Sequence, residues 1–311
     1  MLARLQQVTT VGLALAALAW SAYFLSTERP VLAGVGALLI VAGYAAFLAF
    51  EFIVLAMVAD PAGTPRATPL QLLRAWWGEV LTAPVVFCWR QPFRSAAEPD
   101  HIATSAGGAP GIVFVHGFVC NRAFWNPWMR KLRKADVPFI AVNLEPVFGS
   151  ISAYAPTIDA AVTALQRATG QPPVVVAHSM GGLATREWMR LCRADDRISH
   201  VVTIGTPHRG TWLARWGRTI NSLEMRLQSA WLSKLVAGRA DELHAKFTCF
   251  YSNCDNIVFP PSTATLPGAD NRLVIGPAHV HLAFQSVIFD RVLELVEEHR
   301  IVGRAAARAR A

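Results

Sequence analysis

Residues 173–190, PVVVAHSMGGLATREWMR, carry three valines into His178-Ser179-Met180-Gly181-Gly182 and then take on a helical pattern. A serine hydroxyl is a weak nucleophile until a base takes its proton, and it must stand where a carbonyl carbon can reach it. A sharp strand-to-helix turn meets the second need by lifting Ser179 above the edge of a sheet. Small residues at Ala177, Gly181 and Gly182 give the backbone room to turn and let strand and helix approach. The pattern departs from G-x-S-x-G only at Ala177, which is still small. The competing role for Ser179 is that of an N-cap on the following helix, which needs no chemistry. Metal and phosphate chemistry lack a comparable pattern. Neither H-E-x-x-H nor a paired-cysteine motif occurs, the nine histidines are scattered, and no glycine-rich phosphate loop is present. No metal and no cofactor are expected.

The elements that must position Ser179 alternate from about Gly111 onward. GIVFVHGF reads as a strand, NRAFWNPWMRKLRKAD as a helix, and VPFIAVNLEP as the next strand. TIDAAVTALQRATG is a helix closed by Gly170. PVVVAHS is a strand, MGGLATREWMRLCR a helix, and ISHVVTIGTP a strand. After an interruption from His208 to Lys246 the pattern resumes with FTCFYSNCDNIV, NRLVIGPAH and a last helix from about Leu282 to Arg300. Continuous apolar strands alternating with helices predict an α/β fold whose parallel sheet is covered on both faces.

The motifs FVHGF, AHSMGG, GTPHRGT, CDNIVFP and GPAHVHL, in this order, resemble those of the α/β-hydrolase superfamily, and within it the bacterial triacylglycerol lipases and esterases. The resemblance covers roughly residues 111–300. It implies the chain order nucleophile, acid, histidine. Asp255 opens DNIVFP, similar to the family's D-x-x-V-x-P, with Asp270 as the alternative acid. His279 lies in GPAHVHL, similar to G-x-x-H-x-x-L, with His281 as the alternative base. The resemblance further implies an oxyanion hole made by the backbone N–H groups of Phe118 and Met180. His116 and His178 are expected to support these loops, and His208 to be structural. The 208–246 segment sits where lipases of this fold often carry a lid. Its tryptophans and leucines at helical spacing suit amphipathic helices, which could equally be ordinary helices on the core.

The N-terminal part lies outside the resemblance. No charge occurs from Gln6 to Thr27 or from Pro30 to Phe50, and the second run continues as FIVLAMVA to Asp60. About 20 apolar residues span a bilayer core, so residues 1–60 are expected to form two transmembrane helices, with a cleaved leader as the alternative reading of the first. Arg4 on one side and Arg66 and Arg74 on the other favour both ends, and the catalytic domain, on the cytoplasmic face. Residues 61–110 read as a connecting segment in which Trp76, Trp77 and Trp89 lie either at a membrane interface or on the domain. Residues 111–311 then form the catalytic domain.

Lysine and arginine total 29 against 21 acids, and 53% of the chain is hydrophobic. This balance suits an anionic membrane surface. No basic helix with interleaved aromatics points to nucleic acid, and no obligate protein partner is evident. Five cysteines fit a reducing compartment, with a Cys249–Cys254 disulfide left open. The expected activity is a serine-dependent hydrolase of lipid or other apolar carboxylic esters. An acyltransferase or thioesterase using the same triad, and a non-catalytic scaffold, are the competing readings.

Overall fold

The computed structural model describes residues 1–102, 109–236 and 244–310, with side chains through Ile301. Residues 103–108 of the expected connecting segment and 237–243 of the expected lid lie outside the described residues.

Six strands form one parallel sheet: β1 (Ile112–Val115), β2 (Phe139–Ala141), β3 (Val174–His178), β4 (His200–Ile204), β5 (Phe247–Ser252) and β6 (Asp270–Val274). Their order is β2-β1-β3-β4-β5-β6. The first crossover turns back and the rest progress to the other edge. Every residue of β1 and of β3 is buried, because alternate side chains feed two separate cores. Val113, Val115, Val175 and Ala177 point to one core, filled by α6 (Ala155–Thr169) and α7 (Met180–Cys192) through Ile158, Leu165, Leu183 and Trp188. Ile112, Phe114, Val174 and Val176 point to the other, filled by α5 (Asn126–Lys134) and α11 (Ser286–Arg310) through Trp128, Leu132, Ile288 and Val292. Within the 208–246 interruption the described elements are short: a 3-10 turn Trp212–Trp216, α8 (Ile220–Glu224) and α9 (Ala230–Val236).

The N-terminal part differs from a plain two-helix hairpin. α1 (Leu2–Ser26) is one helix of 25 residues, long and apolar enough to cross a membrane, with 6% of its most apolar window buried. The second apolar run breaks into α2 (Pro30–Ala42) and α3 (Tyr44–Met57), bent by 53° at Gly43. The two together count as a second span only if a bent pair is one. α1 and α2 are held together by Trp20, whose indole N–H donates to the Leu32 carbonyl at 2.8 Å. The far half of α3 turns instead onto the domain: Glu51, Phe52, Val54 and Leu55 are buried there, beside Phe259 and Ala278. The physical reason is Glu51, a charge that hydrocarbon would not tolerate unpaired and that finds a partner in the domain.

α4 (Pro69–Pro84) starts with a capping box. Thr68 accepts from the Gln71 N–H, and the Gln71 side chain accepts from the Thr68 N–H. It continues through a π-helical stretch, Val85–Arg90, to Phe93. Its inner face buries Ala75 and Glu79 against the domain, and its outer face leaves Trp77 and Trp89 more than half exposed. The segment thus packs on the domain along one face and leaves an apolar face exposed. No disulfide joins Cys249 to Cys254: all five cysteines are free. Burial pushes the thiols of Cys249 and Cys254 up to about 11 each, so both stay protonated and inert.

Candidate active site

Parallel strands bring all their C-terminal ends to one edge, and the loops there carry the candidate residues. Ser179 follows β3 with φ 54° and ψ −129°, a conformation L-residues rarely adopt. Its amide donates to the Ile204 carbonyl at the end of β4. Ser179 occupies the N-cap position of α7, but its side chain makes no cap hydrogen bond. The turn is possible only because α7 starts against bare backbone. A Cβ on Gly181 would stand 2.6 Å from the carbonyl oxygens of Val115 and His116. On the other side, a Cβ on Gly117 would lie 2.8 Å from that of Ser179.

Asp255 is buried in the loop after β5. Its Oδ1 accepts the N–H groups of Ile257 and Val258 at 2.9 and 2.8 Å, which leaves Oδ2 facing His279 Nδ1 at 2.9 Å. His279 begins the short helix α10 (His279–Leu282). Burial alone would depress its pKa, but the charge and hydrogen bond of Asp255, with the charges of Glu79 and Glu51, raise it above the ordinary histidine value. An Nδ1–H held by the carboxylate leaves Nε2 free to accept a proton. The His279 ring lies 4.6 Å from that of His178, the residue before Ser179. The end of β4 closes the third side: a Cβ on Gly205 would come 3.0 Å from Asp255 Oδ2 and 3.1 Å from His279 Nδ1.

The alternatives stand elsewhere. Asp270 opens β6 at the opposite end of the sheet, paired with Arg272 at 2.7 Å. The His281 ring lies against Gly78 of α4. Met180 follows Ser179 directly and Phe118 follows Gly117, which packs on Ser179, and among the described residues neither amide donates to a protein acceptor. Met180 is the first residue of α7, where the helix leaves its N–H groups free and its dipole favours negative charge.

Three further histidines, His116, His178 and His208, are buried supports. His116 Nδ1 contacts the Gly117 carbonyl at 2.9 Å while Nε2 accepts the Leu144 N–H at 3.0 Å. Burial drives its pKa down to about 4, which keeps it neutral. His178 stacks on Phe124 at 4.5 Å, and burial together with the neighbouring His279 charge holds it well below the ordinary value. His208 is buried with Nε2 3.0 Å from Thr203 Oγ1.

Three residues that pattern reading passed over also reach this edge: Asn256, Glu51 and Glu79. The signal for the two glutamates was a lone acid in an otherwise apolar stretch. Asn256 had none beyond its place next to Asp255.

Comparison with known proteins agrees with this architecture. Residues 112–308 match the model of the alpha/beta hydrolase family. Among solved structures, the mature lipase BlEst2 of Bacillus licheniformis superposes with a TM-score of 0.54 at 18% identity, over 61% of this chain and 92% of that one. Lipase B of Aspergillus fumigatus gives 0.53 at 17% identity, over 60% of this chain and about half, 52%, of that one. At such identities the likeness is one of fold. No curated protein sequence matches the chain. With more than half of its length matched by the family model, and with the parallel sheet and strand-to-helix serine turn described above, the chain belongs to the α/β-hydrolase family.

Proposed function

We propose that the protein is a serine-dependent hydrolase of lipid or other apolar carboxylic esters, with Ser179 as nucleophile, His279 as base and Asp255 as its orienting acid. The observation that carries this reading is the Asp255–His279 contact of 2.9 Å, beside a serine in a strained turn whose side chain caps nothing. Ser179 Oγ attacks the carbonyl carbon as His279 Nε2 takes its proton, and the N–H groups of Phe118 and Met180 receive the oxyanion. Collapse expels the alcohol, which leaves with the proton held by His279. Water, deprotonated by His279, then releases the acid and restores Ser179. Asp255 fixes the tautomer and stabilises the imidazolium.

An apolar substrate is supported by what surrounds the sheet edge. The 208–246 segment, which we assign as the lid, exposes Trp216, Ile220, Leu223 and Leu227, and the loop that α8 holds through Glu224 exposes Phe148. The test is hydrolysis of p-nitrophenyl esters of increasing acyl length by detergent-purified protein, with fluorophosphonate labelling mapped by mass spectrometry. A rate that rises with chain length and a label on Ser179 are expected. Inert protein that takes up no label would overturn the assignment.

The α1–α2 hairpin is assigned to the bilayer, with the catalytic domain on the cytoplasmic face. α4 then lies along the surface. Leu73, Trp77, Leu81, Val85, Trp89 and Phe93 are exposed at four-residue intervals. In an α-helix each such step drifts by about 40°. The wider π turn at Val85–Arg90 swings the stripe back, so one apolar line runs the whole length. Cys88 adjoins this line and Cys192 ends α7 on the domain, and both thiols are exposed. In nanodiscs, a membrane-impermeant maleimide should modify Cys192 at least ten times faster than Cys88. Equal rates would place the stripe in water.

A further inference from the structure

We infer that α3 and α4, which precede the hydrolase fold, complete its catalytic site: Glu51 and Glu79 are positioning residues that hold the backbone of His279. This rests on the hydrolase reading for its meaning, though not for its geometry. α10 is a helix of four residues, too short to satisfy its own first amides. Each of those amides is nevertheless bound. The His279 N–H donates to Asn256 Oδ1 at 3.2 Å. The Val280 and His281 N–H groups donate to the two oxygens of Glu79, at 3.0 and 3.1 Å. Asn256 is itself held, its Nδ2 donating to Glu51 Oε2 at 2.6 Å. Two of three successive amides are thus tied directly to the Glu79 carboxylate, and the third, that of His279, is tied to Glu51 through Asn256.

Packing does not account for this choice of residue. Glu51 and Glu79 are both nearly solvent-free, at 3% and 2% exposure, and burying a carboxylate is costly unless its hydrogen bonds are made. Burial raises Glu79 to about 7 although the Val280 and His281 amides pull it down. Both glutamates also sit near the carboxylate of Asp255, which opposes their ionisation. The gain comes from the group they share. The titratable groups facing His279 are Asp255, Glu51 and Glu79, all acidic, and His178, which is neutral. An imidazolium formed at His279 during acyl transfer is the one cation among them. The two N–H bonds that Glu79 accepts favour its ionised form. Its charge then favours a protonated His279 and shifts its titration upward.

Two variants separate the bonds from the charge. Glu79→Gln keeps one acceptor, turns an NH2 toward the other amide and removes the charge. Glu51→Gln keeps an oxygen for Asn256 and removes only the charge. kcat and KM are measured from acid to alkaline pH with a p-nitrophenyl ester, and the His279 ring proton is titrated by NMR. For Glu79→Gln the expectation is a kcat lower by about 10²-fold, the order reached when a reacting group is misplaced, with KM little changed. For both variants the acid limb of kcat/KM and the His279 titration move to lower pH. Removing a nearby negative charge makes the imidazolium less favourable, so the neutral base persists into more acid solution. Glutamates that serve only to hold the helices would lower the yield of folded protein and leave limb and titration in place, and that result overturns the inference. If Glu79→Gln does not fold, the titration in Glu51→Gln decides. If wild type proves inert while its His279 titration still responds, the hydrolase reading fails and the clamp stands.

Discussion

Ser179→Ala is expected to lower kcat for ester hydrolysis by about 10⁶-fold, the order seen when a triad nucleophile is removed. The loss is confined to turnover: the alanine keeps the Cβ and the turn, so substrate binding to the apolar surround is retained. A second consequence follows from the backbone. Ser179 is held at φ 54° and ψ −129°, and a non-glycine residue in so sparse a region costs on the order of 1–3 kcal/mol. Alanine leaves that strain in place, while Ser179→Gly relieves it. In thermal unfolding the glycine variant should be more stable than the alanine variant by about 1 kcal/mol, after allowing for the greater freedom of glycine in the unfolded chain. A glycine variant less stable than alanine would mean that the turn is not strained.

Asp255→Asn is expected to lower kcat by about 10⁴-fold, the order found when the acid of such a triad becomes an amide. The reason here is specific to this loop. The N–H groups of Ile257 and Val258 both point at Asp255 Oδ1, so an asparagine must place its oxygen there. Its NH2 group then faces His279 Nδ1 and donates to it. The imidazole is forced to carry its proton on Nε2, where it can no longer take the proton of Ser179. Raising the pH should restore little of the lost rate, because a wrong tautomer is not corrected by removing protons from solvent. Loss of only a few fold would remove Asp255 from the assigned role, and Asp270, which sits at the far end of the sheet beside Arg272, could not replace it without rebuilding the loop.

Much of the domain could be read from residue order. Three valines into His178-Ser179 and small residues after it specify a strand, a turn and a helix, and those elements appear as β3 and α7. The alternation from Gly111 onward gives the parallel sheet because each apolar run is too continuous to show a wet face. The acid and base were narrower choices. Asp255 against Asp270 turns on which end of the sheet each occupies, which a pattern with no register cannot say. His279 against His281 turns on a two-residue step that rotates one ring toward Asp255 and the other toward Gly78. The N-terminal helices were the least legible. Gly43 within an apolar run is compatible with a straight span or a 53° bend. Glu51 reads as a lone interruption of an apolar run, since its partner Asn256 is 205 residues away. Glu79 carries no motif in the sequence, and only the docking of α4 on α10 gives it a buried role.

The distance along the chain between the clamp and what it grips bears on how the protein is made. Glu79 is synthesised 201 residues before Val280, and Glu51 205 before Asn256. Contacts of such long range close late, after the intervening chain has collapsed. In order of synthesis the two helices precede the sheet, so their carboxylates are made before the groups that they bind. α10 follows all six strands, and its backbone is fastened only when it meets α3 and α4. On the proposed assignment, a nascent chain carries Ser179 for some time before it carries His279 and the backbone that Glu79 and Asn256 hold.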